Sequence, residues 1–375
     1  MEPIRILYVN GGPMNRGGIE SYMMNYYRNF DKSKIQIDFV AIGERATYDD
    51  EIESLGGKMY YIPKKSKNYL GYKKGLRNIF KSGKYKVVHT HMDAMGMTVL
   101  KEAKKFNIPI RIAHSHNTQH LTNNHIKLKI NEYARKNINK YATHMFACSE
   151  LAGRWLFGDE AFESGKVEVI KNAINIEKFK FDMQKRNILR NKYDILNDEI
   201  VIGHVGRFDY QKNHKFTIEM FQMLINKNKK YKLFLIGNGQ LKDEIKKLIK
   251  SYGIEENVII LDACDNVNDF YNIFDIFILP SKFEGLGIVA IEAQVNGIPC
   301  ILSDNIPMEA KVSENVKFIS LDNKRLWIKE IKYVTENILD RRHNIDNIIK
   351  KGYDIKIQSK KLQNKYILLY KEILN

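Results

Sequence analysis

The chain of 375 residues is long enough for two ordinary domains, and its 44% of hydrophobic residues excludes a disordered polypeptide. Its 61 Lys and Arg against 44 Asp and Glu give a net charge of +17, which favours polyanionic partners such as nucleic acid, acidic lipid or phosphorylated ligands. No apolar stretch approaches the roughly 20 residues of a membrane-spanning helix, and the three widely spaced cysteines indicate neither a disulfide framework nor a zinc site.

The unpaired spacing of the cysteines fits a reducing cytoplasm, and the N-terminus, MEPIRILYVNGG, predicts a first strand and not a signal peptide. Short apolar segments rich in Val, Ile and Phe then alternate with helical patterns. Continuous apolar strands of this kind are typical of parallel sheets that helices cover on both faces. Two series of such strands, one in each half of the chain, therefore predict two doubly wound α/β domains whose sheets face one another across a cleft. The strands are predicted at 5–10, 37–42, 86–91, 110–115, 144–149, 167–172, 200–206, 232–239, 257–262, 275–281, 299–303 and 316–321.

The join between the two series is predicted in NAINIEKFKFD, residues 172–182, where the strand pattern stops. The tail from 354 to 374 has Leu362, Tyr366 and Leu369 at helical spacing and is predicted as one helix. In open parallel sheets, ligands bind beyond the carboxyl ends of the strands. The residues just after each strand are therefore the candidates for a site.

A glycine-rich loop, NGGPMNRGGIES, follows the first strand. A helix is predicted over 19–30, so Gly17 and Gly18 lie at its positive end, which suits an anion. The spacing is not that of the dinucleotide motif G-x-G-x-x-G. An ordinary strand-to-helix turn explains the loop equally well.

The segment IRIAHSHN places His114 and His116 on one face of a strand end, because side chains of a strand repeat every two residues. Two histidines can bind a metal, but no cysteine or acid stands at a suitable spacing. A polar wall of a sugar or phosphate site is favoured over a metal site. Exposed histidines at a strand end explain the pattern about as well.

Two glycine turns follow strands of the second series. In HVGRFDYQKN, Gly206 allows the chain to turn and places Arg207 and Lys212 on one loop. A guanidinium fork beside a mobile amine suits a diphosphate, because two cations can share its charge. In IGNGQL, the turn at Gly237 fits either the start of a helix or the wall of a nucleotide site.

The stretch SKFEGLGIVAIEAQVNGIPC carries two glutamates around a predicted helix over 286–296. Glu284 lies in the preceding loop, where the backbone amides at the start of the helix can hold phosphate oxygens. Glu292 lies about two turns into the helix and could bind a ribose diol, or it could be an exposed helical glutamate. Carboxylates for hydroxyls beside amides for phosphate indicate a nucleotide-sugar.

The segment 64–86 contains no acid and has an apolar helical face opposite its lysines. Such a face suits docking on anionic lipid. The alternative is an ordinary helix of the first domain that rests on its own sheet. The face consists of Tyr69, Tyr72, Leu76, Ile79 and Phe80.

The motifs GRFDYQKN, IGNG and FEGLGIVAIEAQVNGIP, with YVNGGPMNRGGIES and AHSHN before them, resemble the family 4 glycosyltransferases of the GT-B fold. These are retaining enzymes with nucleotide-sugar donors, and the resemblance, closest to the bacterial capsular and exopolysaccharide branch, spans nearly the whole chain. It implies a Rossmann-like acceptor domain at 1–175, completed by a final helix at 355–375, and a Rossmann-like donor domain at 176–354.

The resemblance also implies a role for each motif residue. Arg207 and Lys212 would neutralise the donor diphosphate. Glu284 would hold hydroxyls of the donor sugar, and His116 would face that sugar near the reacting carbon. Glu292 would hold the ribose. The implied donor-binding set is Gly17, Gly18, Gly206, Gly237, Leu286, Gly287, Ile288 and Glu292.

One departure from the family pattern is SDNIPME, residues 303–309, where many members have a glycine pair before a glutamate. This departure concerns the preference for the donor sugar and leaves the expected fold unchanged. No metal-binding acid pair is evident, so no metal or other cofactor is expected, and the cations of the protein would replace a metal.

The implied reaction is the transfer of a hexose, with retention, from a nucleoside-diphosphate sugar to a hydroxyl of a glycan or lipid-linked saccharide. A UDP-sugar is the expected donor, and the inner face of the plasma membrane is the expected place if 64–86 docks there. One alternative is a sugar-nucleotide epimerase of similar two-domain build, which needs no acceptor. A nucleic-acid binder would match the charge, but no aromatic-basic motif of known modules is present, so no nucleic-acid partner is expected.

Overall fold

The computed structural model describes residues 2–122, 124–226, 230–337, 341 and 345–374. The chain forms two compact units, one made of 1–173 with 354–375 and the other of 174–353. Each unit is built on one parallel sheet. The prediction of two doubly wound α/β domains is confirmed.

The first unit contains a seven-stranded sheet of order β3-β2-β1-β4-β5-β6-β7. Alternate residues of β1 are buried in different clusters: Ile6 and Tyr8 in one, Leu7 and Val9 in the other. The strand is therefore apolar along its whole length, as the continuous apolar run predicted. The strands are β1 Ile4–Asn10, β2 Ile35–Ile42, β3 Met59–Ile62, β4 Val87–His91, β5 Ile110–Ser115, β6 His144–Ala147 and β7 Val167–Val169.

The helices of the first unit include the C-terminal one, which packs against the first helix. The hydroxyl of Tyr366 lies 2.7 Å from that of Tyr8 on β1, so the predicted tail helix is confirmed and is tied to the centre of the sheet. The helices are α1 Gly18–Asn29, α2 Asp49–Ser54, α3 Tyr69–Lys81, α4 Met97–Lys105, α5 His125–Asn137, α6 Glu150–Phe157, α7 Asp159–Glu163 and α16 Ile355–Glu372.

The second unit contains a six-stranded sheet of order β10-β9-β8-β11-β12-β13. Its first strand, β8, lies between β9 and β11. The chain therefore adds β9 and β10 on one side of β8 and then β11, β12 and β13 on the other side. The elements are α8 Ile176–Phe179, α9 Met183–Lys192, β8 Ile200–Val205, α10 His214–Ile225, β9 Tyr231–Ile236, α11 Lys242–Ser251, β10 Val258–Leu261, α12 Val267–Phe270, β11 Ile276–Leu279, α13 Ile288–Val295, β12 Cys300–Ser303, β13 Val316–Ile319, α14 Lys324–Glu336 and α15 Ile345–Lys350.

The prediction that the apolar face of 64–86 docks on a membrane is wrong for four of its five residues. Tyr72, Leu76, Ile79 and Phe80 are buried in the core of the first unit. A Cβ on Gly75 would lie 2.6 Å from the Cγ2 of Ile62, so this glycine lets α3 approach β3 closely. The apolar face of α3 rests on its own sheet, because that contact removes it from water.

Strand β3 was not predicted, since it has only four residues and Tyr60 and Tyr61 interrupt any alternation. No helix among the described residues combines the length and apolar composition needed to cross a bilayer.

Candidate active site

The loops that carry the second-unit candidates meet at one point of the sheet. Strands β8 and β11 are direct neighbours, although β9 and β10 separate them in the chain. Open α/β sheets bind ligands at such a switch in strand order, beyond the carboxyl ends of the strands. The loop 206–213 after β8 and the loop 280–287 after β11 both lie there.

A buried ion pair joins the two loops. The Nζ of Lys212 lies 2.5 Å from Oε1 of Glu284, and the two side chains are only 15% and 7% exposed. The Nε2 of Gln211 donates to Oε2 of the same carboxylate at 3.1 Å. Both oxygens of Glu284 are therefore held by the loop after β8. Sequence reasoning placed these two charges near one ligand but did not predict that they bind each other.

Arg207 occupies a different environment on the same loop. Its side chain is 61% exposed, and its Nε lies 3.5 Å from Oδ2 of Asp209. The guanidinium therefore stands at the surface, and its charge is largely hydrated. The loop thus presents one buried cation that is already paired and one exposed cation.

Glycines bring the loops after β8 and β9 into backbone contact. A Cβ on Gly237 would lie 2.1 Å from the carbonyl oxygen of Gly206, and one on Gly239 would lie 2.3 Å from that of Phe208. The amide of Gly206 donates to Ile236 at 3.0 Å. Side chains at 237 and 239 would force these loops apart, so the glycine turn IGNG fixes the position of the Lys212 loop.

Helix α13 begins two residues later than predicted, at Ile288. Gly287 precedes it with a φ of +83°, a left-handed conformation that favours glycine. Leu286 is buried and belongs to the loop. Leu286, Gly287 and Ile288 therefore adjoin the N-terminus of α13, with only Ile288 inside the helix.

The alternative that Glu292 is an exposed helical glutamate is wrong. Its Oε2 accepts a hydrogen bond from the Tyr271 hydroxyl at 2.7 Å. Burial raises the pKa of Glu292 to about 7, because the charged form loses water, although the Tyr271 hydrogen bond opposes the shift. Near neutral pH this carboxyl is divided between its neutral and ionised forms.

In the first unit, Gly17 and Gly18 begin α1 as predicted. The side chain of Glu20 folds over this helix start, since a Cβ on Gly17 would lie 2.1 Å from its Oε2. The Nδ2 of Asn10 donates to Oε1 of Glu20 at 2.8 Å. An anion at the two glycines would therefore meet a carboxylate as well as backbone amides, which weakens the case for a phosphate at this point.

His116 is buried, so the alternative of an exposed strand-end histidine is wrong. Its backbone amide donates to Oδ1 of Asp93 at 2.6 Å, and the Nδ2 of Asn117 donates to Oδ2 of Asp93 at 2.7 Å. Burial lowers the pKa of His116 to about 3, so its ring is neutral at physiological pH. Asp93 thus fixes the backbone that carries a neutral imidazole.

Sequence reasoning missed His89 and His91, which lie on β4 beside the predicted pair. The Nε2 of His116 lies 3.0 Å from Nδ1 of His91, and Nδ1 of His114 lies 3.0 Å from Nε2 of His89. The available signal was a second H-x-H pattern, in KVVHTH, on a strand that adjoins β5.

Comparison with known families covers most of the chain. The family model described as Glycosyl transferases group 1 matches residues 185–352, and that described as Glycosyltransferase Family 4 matches residues 16–178. Each model corresponds to one of the two units.

Several individual proteins of known name are also similar to this chain. The protein EpsF of Bacillus subtilis (strain 168), whose name describes it as a glycosyltransferase, is 37% identical over 306 residues, which are 80% of this chain and 79% of its own. The capsular polysaccharide biosynthesis glycosyltransferase CapH of Staphylococcus aureus is 23% identical and covers 94% of this chain and 96% of its own. An Escherichia coli enzyme named UDP-Gal:alpha-D-GlcNAc-diphosphoundecaprenol alpha-1,3-galactosyltransferase is 24% identical over 78% of each chain.

A solved structure of HepE from Anabaena, in complex with UDP-glucose, superposes with a TM-score of 0.80. It covers 97% of this chain and 99% of its own at 15% identity, which is a likeness of fold. The two sheets, the matched family models and these relatives define a glycosyltransferase of the GT-B fold. This chain belongs to the family 4 glycosyltransferases. The matches favour glycosyl transfer over the epimerase alternative.

Proposed function

We propose that this chain transfers a hexose from a UDP-sugar, with retention, to a hydroxyl of a growing lipid-linked glycan. The observation that carries the proposal is the buried pair of Lys212 and Glu284 at the switch point of the second sheet. A donor needs both a cation for its diphosphate and a carboxylate for its sugar hydroxyls. The two loops hold these groups in contact before any ligand arrives.

The proposed donor is supported by two relatives in particular. The solved structure of HepE contains UDP-glucose, and the name of the Escherichia coli relative contains UDP-Gal. Neither identifies the sugar used by this chain. The departure at Asn305, Ile306 and Pro307 from the family pattern makes the sugar a separate question from the base.

The chemical difficulty of the reaction is the negative charge that develops on the leaving diphosphate beside an oxocarbenium-like sugar. Lys212 would turn from Glu284 towards this charge, while the exposed Arg207 would close on it from the surface. Two cations at the diphosphate stabilise the transition state electrostatically, because the negative charge grows as the diphosphate leaves. In this proposal they do the work of a metal, so transfer needs no divalent ion, and a phosphate oxygen accepts the proton of the acceptor.

Glu292 is proposed to bind the ribose of the donor. A carboxyl with a pKa of about 7 accepts hydrogen bonds from a diol best when it is ionised. Binding of the nucleotide would therefore strengthen as the pH rises through this value. The remaining first-unit candidate, His116, is proposed to donate or accept one hydrogen bond to the sugar through its neutral ring.

The proposed acceptor is lipid-linked because the Escherichia coli relative is named for a diphosphoundecaprenol acceptor. Nucleotide-sugars are cytoplasmic metabolites, so we place the reaction on the cytoplasmic side of the membrane. The apolar face of α3 is buried in the first unit, so it is not part of any proposed membrane contact.

The first test is thermal unfolding with UDP, GDP, ADP or NAD in turn, with EDTA present. A ligand at 100 times its dissociation constant adds roughly 2.7 kcal/mol to the free energy of unfolding, which is readily measured. We expect a shift with UDP that Lys212→Ala abolishes. The matched control is Lys215→Ala, whose side chain is 68% exposed and should leave the shift intact.

A shift with GDP or ADP alone would replace UDP and keep the rest of the proposal. The absence of a shift with every nucleotide would contradict the donor site. Incubation with a UDP-sugar and a lipid-linked saccharide, followed by analysis of the anomeric configuration of the product, tests transfer and retention separately.

A further inference from the structure

Four histidine rings form a compact buried cluster in the first unit. His89 and His91 come from β4, while His114 and His116 come from the end of β5. Ring centroids along each strand are 4.1 and 4.2 Å apart, and those across the strands are 5.2 Å apart. Because the strands are parallel neighbours, two H-x-H patterns place all four rings on one face of the sheet.

Several ring nitrogens of this cluster are buried and have no hydrogen-bond partner among the residues that the structure describes. They are Nε2 of His91, Nε2 of His114 and Nδ1 of His116, and all three residues are more than nine-tenths buried. A buried polar atom that is left unpaired destabilises the folded protein, because it has lost its hydrogen bonds to water. The unpaired nitrogens of His91 and His114, on neighbouring rings, therefore call for a ligand that accepts more than one lone pair.

The partnered nitrogens fix how two of the rings are presented. Nδ1 of His89 lies 2.7 Å from the hydroxyl of Tyr366, which itself contacts that of Tyr8. Nδ1 of His91 lies 3.0 Å from Nε2 of His116. If each Nδ1 carries the proton, the lone pair of Nε2 on His91 meets no donor among the described residues, and that of Nε2 on His89 faces Nδ1 of His114. Metal-ligating histidines are oriented in this way by a partner on the second ring nitrogen.

We propose that His89, His91 and His114 bind one divalent transition-metal ion of the Zn²⁺ type. One nitrogen from each ring lies within 4.8 Å of the other two. Tetrahedral Zn²⁺ with bonds of about 2.0–2.1 Å places its ligand nitrogens about 3.4 Å apart, so ring movements of about 1 Å close the site. For the ion to bind both rings, the hydrogen bond between His89 and His114 breaks, and the proton of His114 lies on the ring nitrogen that does not bind the ion.

The chemistry of the ligands decides the class of ion. Three neutral imidazoles suit Zn²⁺, Co²⁺, Ni²⁺ or Cu²⁺, whereas Mg²⁺ and Ca²⁺ require oxygen ligands. Burial keeps the pKa of these rings well below their usual range, so the lone pairs are available at neutral pH. The ion would join β4, β5 and, through Tyr366, helix α16. None of the three proposed ligands belongs to the proposed donor site, although His91 contacts His116, and the inference does not depend on the proposed function.

The test is the metal content of the full chain, freed of metal with a chelator and then incubated with Zn²⁺ or Co²⁺. We expect one ion per chain and, with Co²⁺, the visible absorption bands of a tetrahedral nitrogen site. His91→Gln and His114→Gln should each lower the affinity by at least about 100-fold. Tyr366→Phe removes only the hydroxyl that orients His89, and we expect an affinity about 10–100-fold lower, with the protein still folded.

His204→Gln is the matched control. His204 is equally buried and also has an unpartnered Nε2, but it lies in the second unit and stacks on a single histidine, His214. Its substitution should leave binding unchanged. Failure of the wild-type chain to bind either ion would overturn the proposal. So would binding that survives in His91→Gln, His114→Gln and Tyr366→Phe at wild-type affinity, because the ion would then occupy another place.

Discussion

Two buried polar groups, one in each unit, behave in opposite ways. In the second unit, Lys212 and Glu284 remain charged in a largely buried place because each compensates the other at 2.5 Å. In the first unit, the rings around His89 and His114 have lost their charge, since burial lowers their pKa well below the usual value. When a diphosphate binds, the cation of an ion pair can exchange its carboxylate partner for a phosphate. A cluster of neutral rings with lone pairs can bind only a hydrogen-bond donor or a metal ion.

This difference also predicts different costs of damage. Removing one member of a buried ion pair leaves an uncompensated charge, which is expensive. Removing one neutral ring from the histidine cluster removes lone pairs without leaving a charge. Substitution of Lys212 or Glu284 alone should therefore affect activity and stability together.

Lys212→Ala should have the largest effect. We expect the rate of transfer to fall by about 10³-fold or more, because a preorganised cation is lost. The free energy of unfolding should fall by about 3–5 kcal/mol, because Glu284 remains buried without its partner. Steady-state kinetics and urea unfolding measure the two effects on the same preparation.

A double variant separates the two causes. Lys212→Met with Glu284→Gln removes both charges and should regain most of the lost stability while remaining inactive. Lys215→Ala is the control for a lysine on the same stretch of chain. Near-normal turnover in Lys212→Ala would remove the proposed mechanism.

Arg207→Ala should have the next largest effect, and only on activity. Its side chain is 61% exposed, so the free energy of unfolding should change by no more than about 0.5 kcal/mol. The value of kcat/KM should fall by about 100-fold if the guanidinium meets the diphosphate only in the transition state. A loss of stability as large as that of Lys212→Ala would contradict the contrast between a buried and an exposed cation on one loop.

Much of this architecture could be predicted from the sequence. Twelve apolar runs predicted twelve of the strands, because strands buried on both faces leave a continuous signal. Strand β3 escaped, since its four residues carry too little pattern. The apolar face of α3 was visible, but periodicity alone does not say whether a sheet or a membrane covers such a face.

The partners of the site residues could not be predicted in the same way. The motif around Glu284 was recognisable, yet its pairing with Lys212 depends on two loops that 72 positions separate. The histidine cluster required knowledge that β4 adjoins β5. Local spacing predicts which residues share a strand, whereas the strand order decides which strands share a site.

Glu292 is intermediate between the charged pair of Lys212 and Glu284 and the neutral histidine rings. Its substitution should have the smallest effect. Burial raises its folded-state pKa from 4.5 to about 7, so the protein favours the neutral carboxyl. The resulting stabilisation is fully present below the unfolded pKa of 4.5 and is lost as the pH rises through 7. Since Glu292 is partly exposed to solvent, we expect this contribution to be about 1–2 kcal/mol.

Glu292→Gln keeps an acceptor for the Tyr271 hydroxyl and removes the titration. The difference in unfolding free energy between pH 5 and pH 8 should therefore shrink by about 1–2 kcal/mol relative to the unsubstituted chain. Glu244→Gln, at an exposed position on α11, is the control and should leave the difference unchanged. An unaltered pH dependence in Glu292→Gln would mean that the carboxyl is ionised throughout this range. Glu292 would then resemble Glu284, a buried carboxylate that keeps its charge, and both glutamates of the candidate site would differ from the neutral histidine rings.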